Sequence, residues 1–434
     1  MSLDSKRVHP VLSKAYQVIS NHPLCNHCLG RQFRLLNEEQ ANETRGSSIK
    51  DVLFLEFRDS LRNRRAWALR GLRTLARSGY GPASTEFLKA TGRELEPKRC
   101  YICDDALFNT IENTVSSIIL LAREYDFNSF QVGSSLPRKM IRLDDEIKME
   151  YKLSHGESIK TEFNRIINNA VSKLTGKTHS FHDPDLMIMA EPVSGRVVIG
   201  PAPVYIYGRY RKLQGGISQT RKRGADAAES IEGMLASILI KIFCAKDIKF
   251  HGAGREDVDA KMLGSGRPFI VEILEPKLRN TDLMKFTAQF NEKYSGMVEI
   301  FDLEPSSKAK VVELKLKGER TSKLYRITVK VPRIPSREEL EETERKTKGL
   351  VISQRTPKRV SWRRADKVRK RMIAWIKIVP LPPERLDVTI EAQAGTYIKE
   401  FVTGDDGRTS PSLRELLNMP AEWESLEVLN ILGD

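Results

Sequence analysis

The segment from Phe250 to Phe269 carries the residue types best suited to chemistry. A predicted strand ends at Phe250 and runs into a glycine-rich turn, and Arg255, Asp257 and Asp259 follow directly. A carboxylate on a loop can act as a nucleophile or as a general base, and a nearby cation keeps it ionised. This segment is therefore the first candidate for a catalytic site.

Three other interpretations of the segment compete with catalysis. The pattern Gly252-x-Gly254-x-x-Asp257 lacks the third glycine of a dinucleotide-binding fingerprint and does not open a helix. Asp257 and Asp259 have a spacing that suits magnesium, but two carboxylates alone are common. A surface turn with a local arginine–aspartate pair is the structural alternative. The segment by itself leaves these alternatives open.

Four of the five cysteines form two Cys-x-x-Cys pairs, Cys25 with Cys28 and Cys100 with Cys103. A two-residue gap lets both thiolates of one turn reach the same metal, so the pairs predict one structural zinc with four cysteine ligands. A redox pair and chance spacing are the alternatives, and a redox pair needs a thioredoxin-like unit, which the sequence does not indicate. His27 lies inside the first pair and could replace a cysteine, although a solvated loop histidine is favoured.

The charge balance suits a polyanionic partner, with a generally basic proteome or a solubilised surface as the alternative. There are 72 Lys+Arg against 57 Asp+Glu, a net charge of +15, which favours nucleic acid or an anionic membrane surface. The longest apolar runs fall well short of the ~18 residues that span a bilayer, and the N-terminus has no apolar signal core. We therefore expect a cytoplasmic protein without membrane attachment, in which thiols stay reduced.

Two segments concentrate the positive charge. Residues 208–224 carry six basic residues and no acid, and residues 355–371 carry nine, with Asp366 as the single acid and Trp362 among them. Dense cations beside aromatic residues suit phosphate contact and base stacking. The structural alternatives are a flexible linker for the first segment and a solvated helix face for the second. We expect both segments to contact nucleic acid.

Apolar periodicity predicts the elements that position these residues. Helical and strand patterns alternate between about residues 105 and 207, with a clear amphipathic helix at Phe163–Leu174. A second helix is predicted at Ile231–Ile242, and many short apolar strands follow it, among them Val311–Leu316. Numerous strands with few helices between them predict an α+β fold on an antiparallel sheet.

Several motifs resemble one enzyme family. Gly254-Arg-Glu-Asp257 after a strand resembles the catalytic-aspartate motif of pseudouridine synthases, and the stretch through Phe269 resembles the archaeal and eukaryotic tRNA pseudouridine synthase family ten. The resemblance covers nearly the whole chain. Two further motifs resemble the zinc knuckles of that family, at Cys25–Arg31 and Cys100–Cys103, and residues 105–207 resemble its THUMP RNA-binding unit. The protruding arm is matched by Gln354–Val360 with Arg363–Asp366, and the strand-to-helix motif by Glu391–Val402.

The resemblance implies a role for each site residue. Asp257 matches the catalytic aspartate, and Tyr325 matches the aromatic residue that stacks on the target base. Lys399 matches the basic residue that pairs with the aspartate, and Ile398 matches the apolar position beside the pocket. Arg255 precedes the aspartate and is expected to brace the flipped nucleotide or its phosphate.

The resemblance also implies the architecture. The expected fold class is α+β, with a mixed or antiparallel-sheet pseudouridine synthase catalytic domain and an N-terminal zinc-bound, THUMP-containing α/β module. The expected parts are a zinc-knuckle helical region at 1–104 and a THUMP-like domain at 105–207. A basic connector at 208–224 and a catalytic domain at 225–434 are expected to follow, with the arm of the catalytic domain at about 334–372. One structural zinc with four cysteine ligands and no organic cofactor are expected, and a monomer is the favoured oligomeric state.

The function that the resemblance implies is isomerisation of uridine to pseudouridine in the TΨC arm of tRNA, at tRNA positions 54 and 55. The target base has to be flipped out of the folded arm to be reached. The alternative is a non-catalytic tRNA-binding or chaperone protein built from the same modules, which differs only in whether Asp257 is used. A THUMP-bearing methyltransferase or thiolase would need a glycine-rich cofactor loop or an ATP-pyrophosphatase loop, and we find neither in the sequence.

Overall fold

The computed structural model of the protein describes residues 9–221, 229–362 and 364–432. The chain divides into two compact units, Met1–Ala202 and Pro203–Asp434, and each unit has a large hydrophobic core of its own. Within the described ranges, no helix is both long enough and apolar enough to cross a membrane.

The described part of the first unit begins with five α-helices. They are α1 to α5, at Pro10–Asn21, Asn26–Arg31, Asn42–Arg62, Trp67–Arg77 and Gly81–Thr91. Helices α2 and α3 cross with their backbones in contact at two glycines. A Cβ atom at Gly30 would lie 1.9 Å from the carbonyl oxygen of Asn42, and one at Gly46 would lie 2.0 Å from that of Asn26. Glycine at both positions therefore fixes α2, which begins directly after Cys25, against α3.

An α/β part completes the first unit. Its elements are α6, β1, α7, α8, β2, β3 and β4, at Ile111–Ala122, Ser129–Ser134, Arg138–Glu150, Ile159–Thr175, Thr178–His179, Leu186–Glu191 and Arg196–Pro201. The strands form a sheet in the order β2-β1-β3-β4, in which β1 is parallel to both neighbours and β3 is antiparallel to β4. The predicted amphipathic helix is confirmed as α8, whose Phe163, Ile167 and Val171 are buried at helical spacing.

The second unit is built on one mixed sheet. Its strands β5 to β14 span Val204–Lys212, Asp247–Gly252, Lys261–Leu274, Val298–Ser306, Ser322–Lys330, Leu350–Arg355, Val368–Leu381, Arg385–Gln393, Thr409–Ser410 and Glu422–Leu432. Its helices α9 to α14 span Ile231–Ile242, Leu283–Lys293, Lys308–Arg320, Arg337–Thr347, Ile398–Thr403 and Leu413–Leu416. The predicted α+β class with a mixed or antiparallel sheet is confirmed.

The strand order brings distant segments of the chain together. The path is β13-β10-β11-β12-β9-β14-β7-β5-β8, with β6 paired to β7. The pairing of β14 with β7 is parallel, whereas β14 is antiparallel to β9. Val428 of β14 lies opposite Tyr325 of β9 and next to Met262 of β7. The loop between β6 and β7, which carries Asp257, is therefore close to the middle strands β9 and β14.

The predicted strand at Val311–Leu316 is wrong, because this segment lies in helix α11. Ser307 caps the helix by accepting a hydrogen bond from the backbone N–H of Lys310. Val311 and Leu314 are three residues apart and are both buried, so they share a helical face. The apolar–polar alternation at Val312–Leu316 resembles that of a strand. Over so few residues, helix and strand patterns are hard to distinguish.

The predicted boundary between the THUMP-like domain and the basic connector falls within residues 203–212. They begin the second unit, and β5 pairs with β7 on one side and β8 on the other. The expected THUMP-like limit at 207 therefore extends past the observed end of the first unit at Ala202. The first part of the expected basic connector is a central strand, and its residues 222–224 lie outside the described ranges.

Candidate active site and metal centre

The loop that carries Asp257 leaves β6 through a glycine turn. Gly254 has a φ of +81°, and a Cβ atom there would lie 3.1 Å from the Arg267 Nη1 and Lys323 Nζ atoms. Glycine therefore lets the backbone pass close to two cations in a left-handed conformation. Asp257 follows three residues later with its side chain half-buried.

A buried carboxylate anchors the backbone just before Asp257. Glu256 accepts a hydrogen bond of 2.8 Å from Arg267 Nε, and both of its oxygens lie 2.9 Å from the Tyr210 hydroxyl. Burial would lower the pKa of Arg267, but the charge of Glu256 outweighs this and raises it. The result is a buried and satisfied ion pair, which holds the loop in one conformation.

Lys212 supports the same loop through hydrogen bonds to its backbone. Its ammonium group donates hydrogen bonds to the carbonyl oxygens of Ile217, Asp257 and Val258, at 3.0, 3.0 and 2.9 Å. The side chain is fully buried, which lowers the pKa of Lys212, and the nearby charge of Glu256 opposes this shift. We predicted Lys212 to be part of a basic connector that contacts nucleic acid, and the structure places it in the interior.

The other described cations of that connector also form contacts within the second unit. Arg209 Nε donates to the carbonyl oxygen of Ser265 at 2.6 Å, and Arg211 Nη1 lies 2.9 Å from Glu299 Oε2. Arg221 Nη2 lies 2.7 Å from a carboxylate oxygen of Asp247. The described cations of the connector therefore stabilise the fold.

Replacing Lys212 with methionine is expected to destabilise the protein by about 3 kcal/mol, because three buried carbonyl oxygens lose a charged donor and buried Glu256 loses a nearby cation. The free energy of unfolding can be measured in urea. Lys249→Met, at an exposed position on β6, is the control and should change stability by no more than about 0.5 kcal/mol. Equal stability of the two variants would contradict a supporting role for Lys212.

Two cations contact the Asp257 carboxylate. Arg359 Nη1 lies 3.0 Å from Oδ1 and Arg359 Nη2 lies 3.0 Å from Oδ2, whereas Lys399 Nζ lies 3.6 Å from Oδ2. Lys399 is closer to Asp259, at 2.5 Å, and its ammonium group lies 3.9 Å from the centre of the Trp423 ring. The expected Lys399–Asp257 pair is present, but Arg359 makes the shorter contacts with Asp257.

The charge of Lys399 also acts on Asp259. Partial burial would raise the pKa of Asp259, but the hydrogen bond and charge of Lys399 outweigh burial and lower it. The pair therefore keeps Asp259 ionised, and Lys399 is held between two carboxylates and an aromatic ring.

One cavity of about 990 Å³ brings the predicted catalytic and substrate-binding residues together. Asp257, Tyr325, Lys399, Ile398 and Arg255 all line it. Tyr325 is buried on β9; its burial, opposed by Arg267 and reinforced by Asp257, raises its pKa to about 12. Ile398 is buried at the first position of α13, and Arg255 is exposed. A carboxylate held by two cations can act as a nucleophile or a base, and the Tyr325 ring offers a stacking surface.

The start of α13 is fixed by a residue of β10. The buried Gln354 amide donates to the carbonyl oxygen of Tyr397 at 3.0 Å and accepts from its backbone N–H at 2.9 Å. This places Lys399 at the cavity and Glu400 against Arg359. The sequence analysis assigned no role to Gln354, Glu400 or Arg359 individually, because their partners lie about 40 to 100 residues away along the chain.

The four paired cysteines form a cluster in the first unit. The sulfur atoms of Cys25, Cys28, Cys100 and Cys103 all lie within 4.8 Å of one another, and the last three cysteines are buried. The Cys25 and Cys103 sulfurs are 3.6 Å apart, close to the ~3.8 Å edge of a tetrahedron with metal–sulfur bonds of ~2.3 Å. The group can hold a metal ion.

His27 is not part of this cluster. Its Nδ1 atom lies 3.0 Å from Glu162 Oε1, and its ring stacks on Phe108 at 4.0 Å. Glu162 also pairs with the fully buried Arg31, whose guanidinium group lies 2.8 Å from Asp144. His27 therefore belongs to a buried network that connects α2 with α7 and α8.

Comparisons with known proteins agree with these findings. A family model described as "Pus10, C-terminal" matches residues 205–432, and one described as "Pus10 THUMP domain, archaeal" matches residues 115–191. The chain is 35% identical over 419 residues to the tRNA pseudouridine synthase Pus10 of Thermofilum pendens, covering 95% of this chain and 94% of that protein. It is 35% identical over 428 residues to the Pus10 protein of Pyrococcus furiosus, covering 98% of each.

A solved structure of a Cbf5–Nop10–Gar1 complex is also similar, with 13% identity and a TM-score of 0.29, over 51% of this chain and 58% of that chain. A similarity this low carries no inference about the active site.

Proposed function

The chain belongs to the Pus10 family of tRNA pseudouridine synthases, and on that basis we propose that it isomerises uridine to pseudouridine in the TΨC arm of tRNA, at positions 54 and 55. The observation that carries the proposal is the position of Asp257. Its carboxylate faces a cavity that is also lined by an aromatic ring and several cations. Family membership alone would not require these groups to meet.

In the proposed reaction, Asp257 acts on the ribose of the target uridine. Its carboxylate either attacks C1′ or removes a ribose proton, and the N1–C1′ bond breaks. The released uracil turns and its C5 bonds to C1′. This breaks the Asp257–C1′ bond where the carboxylate attacked C1′, or is accompanied by return of the proton from Asp257 to the ribose where the carboxylate removed one. C5 then loses its proton and N1 gains one. Atoms and electrons balance without a redox step, so the reaction needs no oxidant or reductant.

The other cavity residues are assigned to holding the flipped nucleotide. Tyr325 stacks on the uracil ring, a contact worth ~1–3 kcal/mol, and Ile398 packs beside it. Lys399 partly neutralises the negative charge of the Asp257 carboxylate. Arg255 is exposed and lines the cavity, so it is available to a phosphate of the flipped nucleotide.

The proposed partner is tRNA, which a monomer of the protein binds through the basic arm. Trp362 is 80% exposed, and Lys367 and Lys370 are exposed on the same segment. Cations beside an exposed indole suit phosphate contact and stacking. Arg363, part of the predicted arm motif, lies outside the described residues.

We further propose that the four-cysteine group holds one structural zinc ion. Four thiolates are the donor set that zinc prefers in closed structural sites. Cys25 is the N-cap of α2, and its sulfur accepts a hydrogen bond from the backbone N–H of Cys28 at 3.5 Å, as in a metal-binding knuckle. Thiols of this kind have to stay reduced, so the proposal includes a cytoplasmic location.

The experiment that tests the proposed function is mapping of pseudouridine in unmodified tRNA transcript after incubation with the protein, by carbodiimide treatment and primer extension. Stops at positions 54 and 55 are expected, and transcripts with cytidine at either position should lose only that stop. Binding of tRNA without any stop would instead favour a non-catalytic tRNA-binding or chaperone protein. Stops only outside the TΨC arm would contradict the proposed target.

A further inference from the structure

Arg359 connects the arm to the reacting carboxylate. Its two terminal nitrogens each lie 3.0 Å from a different oxygen of Asp257. The same guanidinium group contacts Glu400, with Nε 2.6 Å from Oε1 and Nη2 3.4 Å from Oε2. One planar fork therefore bridges the catalytic loop and helix α13.

The backbone around Arg359 is itself held in place. The short 3₁₀ turn at Lys358–Val360 buries Val360. The backbone N–H of Lys358 donates to Asp405 at 3.2 Å, and its ammonium group lies 2.5 Å from Asp406. Arg359 is thus presented from a fixed turn.

The two cations at Asp257 differ in what they can do. Lys399 is a point charge that lies nearer to Asp259 than to Asp257. Arg359 is always charged and donates in a planar fork, so it can fix the plane of a carboxylate as well as stabilise its charge. Of the two, Arg359 has the geometry to orient Asp257.

The bidentate contact leaves Asp257 able to react. An ionised carboxylate has about four lone-pair sites, and the guanidinium group occupies one on each oxygen. The second site on Oδ1 remains for the ribose. Glu400 is buried and also pairs with Arg359, so the guanidinium group can stay in place when a nucleotide enters the cavity.

We propose that Arg359 is a positioning residue, which orients the Asp257 carboxylate for reaction and is itself held by Glu400. This inference rests on the proposed function, because it assigns a role within the same reaction. It also means that the arm contributes to the chemistry as well as to RNA binding. Asp257 is contacted by Arg359 from the arm turn and by Lys399 from α13. The other carboxylate partners of these two cations are Glu400 and Asp259.

The test separates the rate of the chemical step from tRNA binding. We expect Arg359→Met to lower the single-turnover rate constant at saturating tRNA by about 10²–10³-fold, the usual effect of removing one oriented donor from a reacting centre. The Kd for tRNA should change by less than about threefold, because the guanidinium group contacts two carboxylates of the protein itself. Arg359→Lys, which keeps the charge but not the fork, should recover only part of the rate.

Two further variants sharpen the test. Glu400→Gln should lower the rate constant, and its effect should not add to that of Arg359→Met, because both act through one contact. Arg326→Met is the matched control: Arg326 follows Tyr325 on β9, points to the opposite face of the sheet and pairs with Asp387 at 3.7 Å. This control should react at the wild-type rate.

Each alternative result has a distinct meaning. A wild-type rate constant for Arg359→Met, with or without a raised Kd, would overturn the positioning role; a raised Kd alone would assign Arg359 to phosphate binding. Additive effects of the Arg359 and Glu400 variants would overturn the role of Glu400. In both cases active wild-type protein would leave the proposed function standing, whereas inactive wild-type protein would overturn the proposed function itself.

Discussion

Asp257→Asn is expected to lower the rate of pseudouridine formation by at least about 10⁴-fold, because the amide can neither attack C1′ nor accept a ribose proton. Asparagine has nearly the shape of aspartate, so the loop keeps its other anchors. These are the Lys212 contacts to the backbone of Asp257 and Val258 and the buried Glu256–Arg267 pair. We therefore expect tRNA binding to change by less than about threefold.

Asp259→Asn is the matched control for this prediction. Asp259 lies two residues further along the same loop and contacts the same lysine, at 2.5 Å, but its role is to hold Lys399. We expect a loss of about tenfold, the usual effect of one charged hydrogen bond next to the reacting group. Carbodiimide mapping and single-turnover rates measure both variants. If Asp257→Asn stays within tenfold of the wild type, Asp257 is not the catalytic group.

The difference between these two aspartates shows what the sequence can predict. The motif around Asp257 is local, and its strand, glycine turn and carboxylate follow one another within eleven residues. The long apolar patterns of α8 and α9 are local in the same sense, and both helices are confirmed. Patterns of this kind can be predicted from the sequence, because the residues that define them are neighbours both along the chain and in the structure.

The contacts of Arg359 and Lys212 could not be predicted in this way. Both were interpreted as cations on surfaces that meet RNA, since a charge run is usually exposed. Arg359 instead contacts a carboxylate 102 residues away, and Lys212 is buried under a loop 45 residues away. Such pairs depend on the strand order of the sheet, in which β5 and β10 approach the site from different directions.

The strand prediction at Val311–Leu316 was wrong for a different reason. Alternation over the five residues Val312–Leu316 fits a half-buried strand, but Leu314 also shares a helical face with Val311. The cap at Ser307 and the buried pair Val311 and Leu314 favour the helix. Tertiary packing of that face selects between two local patterns of similar strength.

Removing the proposed zinc ion is expected to have the largest effect on stability. Structural zinc contributes about 10–16 kcal/mol to the folding of small zinc domains. Cys28, Cys100 and Cys103 belong to the hydrophobic core of the first unit, so loss of the ion would leave unpaired thiolates or a rearranged core. We expect Cys28→Ser to lower the free energy of unfolding by more than about 3 kcal/mol, and chelation to have a similar effect.

The second unit should keep its own unfolding transition in this variant, because its core contains none of the four cysteines. Metal analysis should find one zinc per chain in the wild type and less in Cys28→Ser, and thermal unfolding should show a lowered transition. Cys244→Ser is the control, since Cys244 is exposed and is not one of the clustered cysteines; its zinc content and unfolding should match the wild type. A metal-free Cys28→Ser protein with wild-type stability would show that the cysteines are ordinary core residues, and the zinc proposal would then be wrong.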